Sequence, residues 1–343
     1  MTSPVIEVLQ PGLQTQVQDE GRWGWQADGV PVGGAMDVWS HRIANLLVGN
    51  AADEATLEML LRGPHLRFPA GATIALTGAE LSPTVDGQPV AMGRALRLAP
   101  GAELAFGRRT AGLRGYLAVA GGIAVPAVLG SRSTYARGAL GGHEGRALRA
   151  GDRLPLGVRS AAGPRTVAEP ATSTQGADAR ATTAPPALDL LSPLPDPDPQ
   201  TEVRILVVTG EHWHDFPTAA RAAFLATPWR IGPQSDRMGY RLQGPALAPP
   251  SCGELLSDGV AFGTVQVPPD GQPIVLMAER QSTGGYPKIA HVASVDLPLL
   301  AQCGPGQRLR FEAVTADRAQ ALLEDRARHH ARLRQALLAS ADA

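Results

Sequence analysis

The sequence predicts a mostly β protein built as two lobes with a few peripheral helices, and three observations carry that prediction. Its 343 residues include 39 glycines and 30 prolines. Glycine tolerates positive φ and proline fixes φ, so an ordered chain rich in both turns often. Apolar residues fall in short runs closed by turn signals rather than in long helical periods. One composition break divides the chain into two stretches, each long enough for a domain.

Within the first stretch, residues 1–158, Val5–Leu9 reads as a strand stopped by Pro11-Gly12. A helix follows: Asp37 can cap it, Trp39, Ile43, Leu46 and Leu47 share a face, and Gly49-Asn50 can end it. Thr73–Thr77 before Gly78 and Tyr116–Ala120 before Gly121-Gly122 are further strands. Asp86-Gly87 between Val85 and Gln88 is the signal of a tight hairpin. Residues 159–200 are rich in Pro, Ala and Thr and hold too few apolar residues to offset chain entropy, which marks a linker. The second lobe, residues 201–343, opens with the apolar run Val203–Val208. Ile274–Ala278 follows the turn Pro269-Asp270-Gly271, and Leu309–Val314 alternates with period two. A helix capped by Thr315 and running to about Leu338 closes the chain. Its sparse Leu322, Leu323, Leu333 and Leu337 make it a surface helix. A doubly wound α/β sheet would need a helix after nearly every strand, and those helices are missing.

Thirty-one basic against 32 acidic residues leave a formal charge of −1, which gives no general reason to bind nucleic acid or an anionic membrane. Cys252 and Cys303 form no CxxC pair and read as buried small hydrophobes rather than a disulfide or zinc set. Met1–Val8 lacks the pattern of a secretory signal, and no segment approaches the ~20 apolar residues that span a bilayer. A cytoplasmic location is expected.

Most catalytic signatures are absent: the chain has no Walker A loop, no HExxH and no GxSxG elbow. Its Gly-Gly pairs read as turns. His212 and His214, spaced to share a metal on a strand with Glu211 and Asp215 nearby, lack a third ligand. Loop histidines are the better reading, and no metal is expected. Two segments carry more polar and special residues than strands require. Ile231–Gly244 places Ser235, Asp236 and Arg237 on a turn, with Tyr240 and Arg241 following. Ala278–Ala290 holds Gln281, Thr283, Gly284, Gly285, Tyr286 and Lys288, and Lys288 is the sole lysine of the chain. GC-rich coding favours arginine, so chance and function explain that lone lysine equally well.

These segments resemble the biotin-dependent carboxyltransferase-like family. The resemblance rests on Gly232–Pro245 (GPQSDRMGYRLQGP), Leu256-Ser-Asp-Gly-Val, Gly263–Ile274 and Arg280–Lys288 (RQSTGGYPK). In the first lobe it rests on Val17-Gln-Asp-Glu-Gly-Arg, Gly33-Gly-Ala-Met-Asp, Ala44-Asn-Leu-Leu-Val-Gly-Asn and Gly130-Ser-Arg-Ser-Thr-Tyr. The family includes the C subunit of bacterial 5-oxoprolinase, the second allophanate-hydrolase-like subunit and the antagonist of the kinase inhibitor KipI. The resemblance implies two cyclophilin-like β-barrel lobes. It also implies a C subunit that works beside the A and B subunits of oxoprolinase, the KipI-like B subunit closest, in converting 5-oxo-L-proline to L-glutamate. ATP would act at the level of the complex, and the chain would be inactive alone. Asp236, Arg237 and Lys288 are then the expected catalytic residues. Ser235, Tyr240, Gln266, Gln281, Thr283, Gly284, Gly285 and Tyr286 are expected to contact substrate or partner. Lys288, on an exposed turn, is expected to face the Asp236–Arg237 loop across a groove. The alternatives are the carboxyltransferase component of a urea or amide carboxylase, with biotin arriving on another chain, and a non-enzymatic antagonist of a kinase-inhibitor protein.

Overall fold

In a computed structural model of the chain, residues 4–158, 169–170, 194–250 and 255–339 are described. The linker expected over 159–200 therefore lies largely outside the described residues, as does Cys252. Two compact units emerge, each assembled from separated stretches. Met1–Gly21, Asp37–Leu194 and Arg328–Ala343 make the first, and Arg22–Met36 with Pro195–Ala327 the second.

The first unit is a pair of six-stranded sheets. One orders its strands Arg153–Pro155, Val5–Gln10, His65–Phe68, Ala102–Phe106, Pro83–Val85 and Gln88–Pro89. The other runs Glu169–Pro170, Ala95–Leu98, Ala72–Glu80, Ala111–Val119, Thr56–Leu60 and Gln14–Gln18. Ile6, Leu66, Phe68 and Leu104 of one sheet share a single core with Leu57, Ile74, Leu76 and Leu117 of the other. The expected lobe is thus a two-sheet sandwich, while the closed barrel belongs to the second unit. The Asp86-Gly87 turn takes φ of 50° and 79°, the pair of positive values that a tight hairpin with right-twisted strands needs. The helix forms at Val38–Leu47, and Asp37 caps it by accepting from the Ser40 N–H at 2.9 Å.

Outward-facing residues of the second sheet are polar yet buried. His41 Nδ1 lies 2.9 Å from Thr56 Oγ1, and the Tyr116 hydroxyl donates to Glu58 at 2.7 Å while accepting from the Asp37 N–H at 2.8 Å. Burial pushes His41 down to about 4, so the ring is neutral at pH 7.

The second unit closes as a seven-stranded barrel in the order Glu202–Thr209, Lys288–Val292, Thr264–Gln266, Ile274–Leu276, Gly239–Gln243, Trp229–Ile231 and Arg308–Ala313. Its first and last strands pair in parallel, Val203 opposite Leu309, and the other barrel pairs are antiparallel. Trp229, Tyr240, Phe224, Phe311 and Val265 fill it. Cys303 is buried, as expected. The last helix spans Ala316–Ala339, and Thr315 Oγ1 accepts from the Arg318 N–H at 3.2 Å. No helix among the described residues is long and apolar enough to cross a membrane.

Candidate functional site

The register of the barrel brings together residues that the sequence keeps apart. Successive side chains of a strand alternate between faces. Tyr240, Leu242, Val265 and Val275 point into the core, so Arg241, Ile274 and Gln266 line the outer face, and a register shift between Val265 and Gln266 brings Lys288 opposite Gln266. They stand side by side across four strands: Arg241 opposite Ile274, Ile274 opposite Gln266, and Gln266 opposite Lys288. A cleft of about 530 Å³ opens over one end of this row, lined among others by Arg241, Gln243, Gln272, Ile274 and Tyr286.

Over the other end lies a ribbon of two short strands, Asp258–Gly259 against Thr283–Gly284. It seats closely because position 284 lacks a side chain: a Cβ there would stand 2.6 Å from Gln266 Nε2. The Gln266 amide donates to the Tyr286 carbonyl at 3.2 Å. Beneath the ribbon, Lys288 is only 3% exposed and its Nζ donates to Asp258 Oδ2 at 3.2 Å. The Lys288 backbone N–H donates to His212 Nδ1 at 3.2 Å, which fixes the strand against the short helical turn that follows His212. Hydrogen bonds from the Gly259 N–H and from Lys288 hold the Asp258 carboxyl below its ordinary value.

Two residues before Gln266 on the same strand, Thr264 Oγ1 lies 3.1 Å from His291 Nδ1, and His291 Nε2 lies 2.9 Å from Glu211. Partial burial works to raise the Glu211 carboxyl. Its own backbone N–H and the His291 contact outweigh that and hold it low. Among the described residues, no group of three or more His, Cys, Asp or Glu is placed to hold a metal.

The expected residues meet different fates. Lys288, expected on an exposed turn, lies buried in a strand, because pairing with Gln266 draws it into the barrel wall. Its ammonium goes to Asp258. Arg237 is buried too: its Nε donates to Glu279 at 2.5 Å and its Nη2 to the Gly34 carbonyl at 2.6 Å. Asp236 is exposed and accepts from the Met238 N–H at 2.8 Å, closing the turn before Gly239. Ser235 braces that turn, accepting from the Arg241 N–H at 3.0 Å. Tyr240, expected at a binding surface, is 2% exposed and donates to the Cys303 carbonyl at 3.0 Å, so it is a core residue with one satisfied polar end. Gln266 belongs to the row, Thr283 and Gly284 to the ribbon, and Tyr286 to the cleft. Thr283 is exposed within the ribbon, Gln281 is exposed beside it, and Gly285 approaches Ser257.

Three groups go beyond the sequence expectations. Asp258 stands in one of the family motifs with no expected role, and His212 is expected only as a loop histidine. Arg280, largely buried, gives its Nε–H to the Val260 carbonyl at 3.1 Å. Desolvation pushes it down to about 10, so it remains charged at neutral pH.

The chain thus joins a closed barrel, with Arg241, Gln266 and Lys288 in a row, to a β-sandwich. It belongs to the carboxyltransferase family: the carboxyltransferase domain, subdomain A and B, matches residues 28–313. Among its relatives, the 5-oxoprolinase C subunit of Escherichia coli is 39% identical over 96% of this chain and 97% of its own. Its counterpart of the same name in Haemophilus influenzae is 35% identical over 93% and 94%. The solved urea amidolyase of K. lactis superposes with a TM-score of 0.83 at 31% identity. That match takes in 97% of this chain and 20% of the yeast enzyme.

Proposed function

We propose that this chain is the C subunit of a multi-subunit 5-oxoprolinase that converts 5-oxo-L-proline to L-glutamate with ATP. The carrying observation is the 39% identity to the Escherichia coli C subunit across nearly the full length of both chains. The reaction adds water across the lactam: oxygen joins the ring carbonyl carbon as the γ-carboxylate, the C–N bond breaks, and the nitrogen becomes the α-amine. Resonance protects that carbonyl, and ATP supplies the activation. In this reading ATP binds at the level of the complex, and this chain contributes recognition and charge. Lys288 then supplies the positive charge that meets the substrate's carboxylate.

A second reading has an observation of its own. The urea amidolyase of Lachancea kluyveri is 32% identical over 93% of this chain, which fits a carboxyltransferase served by biotin on another chain. One reconstitution separates the two. The purified chain is assayed with 5-oxo-L-proline and ATP, alone and with the co-expressed A and B subunits. Glutamate forms only in the assembled complex if the first reading is right. Carboxylation of urea with a biotin carboxylase present, and no glutamate, would establish the second.

A further inference from the structure

We infer that the Lys288 ammonium is a carboxylate-binding subsite, occupied by Asp258 only until the carboxylate of a small-molecule ligand replaces it. The pair is lopsided. The Lys288 side chain is 4% exposed and that of Asp258 is 83% exposed. An ammonium so far from water needs an anion beside it. A carboxylate so well hydrated gains little from the same contact and leaves it at little cost. At 3.2 Å the contact is also long for a charge-assisted hydrogen bond. An ammonium has three N–H donors, and this single long bond leaves room for a better-placed acceptor.

The surroundings favour exchange. Asp258 belongs to a ribbon of two residues against two, rather than to the barrel. Lys288 is fixed from behind by His212 and from the side by its pairing with Gln266. The cation is thus built in, and its anion sits on the most detachable piece nearby. Tyr286, which lies between Thr283 of the ribbon and Lys288 in sequence, lines the cleft at the far end of the row. If the proposed function holds, the ligand is 5-oxo-L-proline and the group bound is its carboxylate. The identity of the ligand rests on that reading, whereas the subsite does not.

The sole lysine of the chain makes the test specific. The full-length chain is acylated with acetic anhydride at neutral pH, and modification of Lys288 is followed by peptide mass spectrometry with the N-terminal amine as reference. Asp258→Asn should raise the Lys288 rate roughly fivefold, the factor corresponding to an exposed ion pair, and leave the reference unchanged. In that variant 5-oxo-L-proline should restore protection, and its uncharged carboxamide should not. Equal rates in the two proteins would overturn the subsite, as would an Asp258→Asn rate indifferent to both 5-oxo-L-proline and succinate. Protection by succinate without protection by 5-oxo-L-proline would keep the subsite and remove the oxoprolinase reading.

Discussion

Two buried cations of the second unit have opposite expected roles. Arg237 is neutralised by Glu279, itself buried, and ties a carbonyl of the Arg22–Met36 stretch to the same unit. Removing one partner of such a pair strands a charge, so Arg237→Met should destabilise the fold by about 3–5 kcal/mol. Arg237→Met/Glu279→Leu should recover part of that loss, and urea unfolding of both variants measures the difference. Lys288 has only an exposed partner, so Lys288→Met, which keeps the stem, should leave folding close to wild type. Turnover of the assembled complex at subsaturating substrate should fall by roughly 10²-fold, the loss expected when one partner of a buried, hydrogen-bonded charge pair is removed. Turnover within about twofold of wild type would remove Lys288 from the site.

Single elements were legible wherever their cause is local. The Asp86-Gly87 hairpin needs only two residues that accept positive φ, and the Val38–Leu47 helix only a cap and an apolar stripe. That cap is testable: Asp37→Ala should cost about 1 kcal/mol in thermal or denaturant unfolding. Pairings between distant elements were not legible. Lys288 meets Gln266 and Asp258 because of barrel register, which no spacing in the sequence encodes. Arg237 beside Asp236 has the look of a site along the chain, yet Arg237 is folded under by Glu279, 42 positions away. Tyr240 carries a signal against its expected place at a surface. It alternates with Leu242 along one strand, and that period puts both on the inner face.

For the molecule entire, acid should act first through His41. Its folded value near 4 lies below the 6.5 of an exposed imidazole, so the unfolded chain binds the proton more readily. The contribution is intact above pH 6.5 and drains away as pH falls toward 4, by about 3 kcal/mol in total. Asp152, held near 2 chiefly by Arg146, adds a second loss that sets in below about pH 4. Melting temperature should therefore drop between pH 7 and 4.5, and His41→Asn should flatten that drop. A variant as acid-sensitive as wild type would shift the cause elsewhere. The parallel pairing of Glu202–Thr209 with Arg308–Ala313 governs how the second unit is reached in time. Its two seam strands lie about a hundred residues apart, so loop-closure entropy is spent before the contacts that repay it form. During synthesis the first of them waits as an unpaired edge, open to other nascent chains. A chain ending before Arg308 never closes that seam, and it should accumulate as aggregate rather than as a smaller soluble barrel.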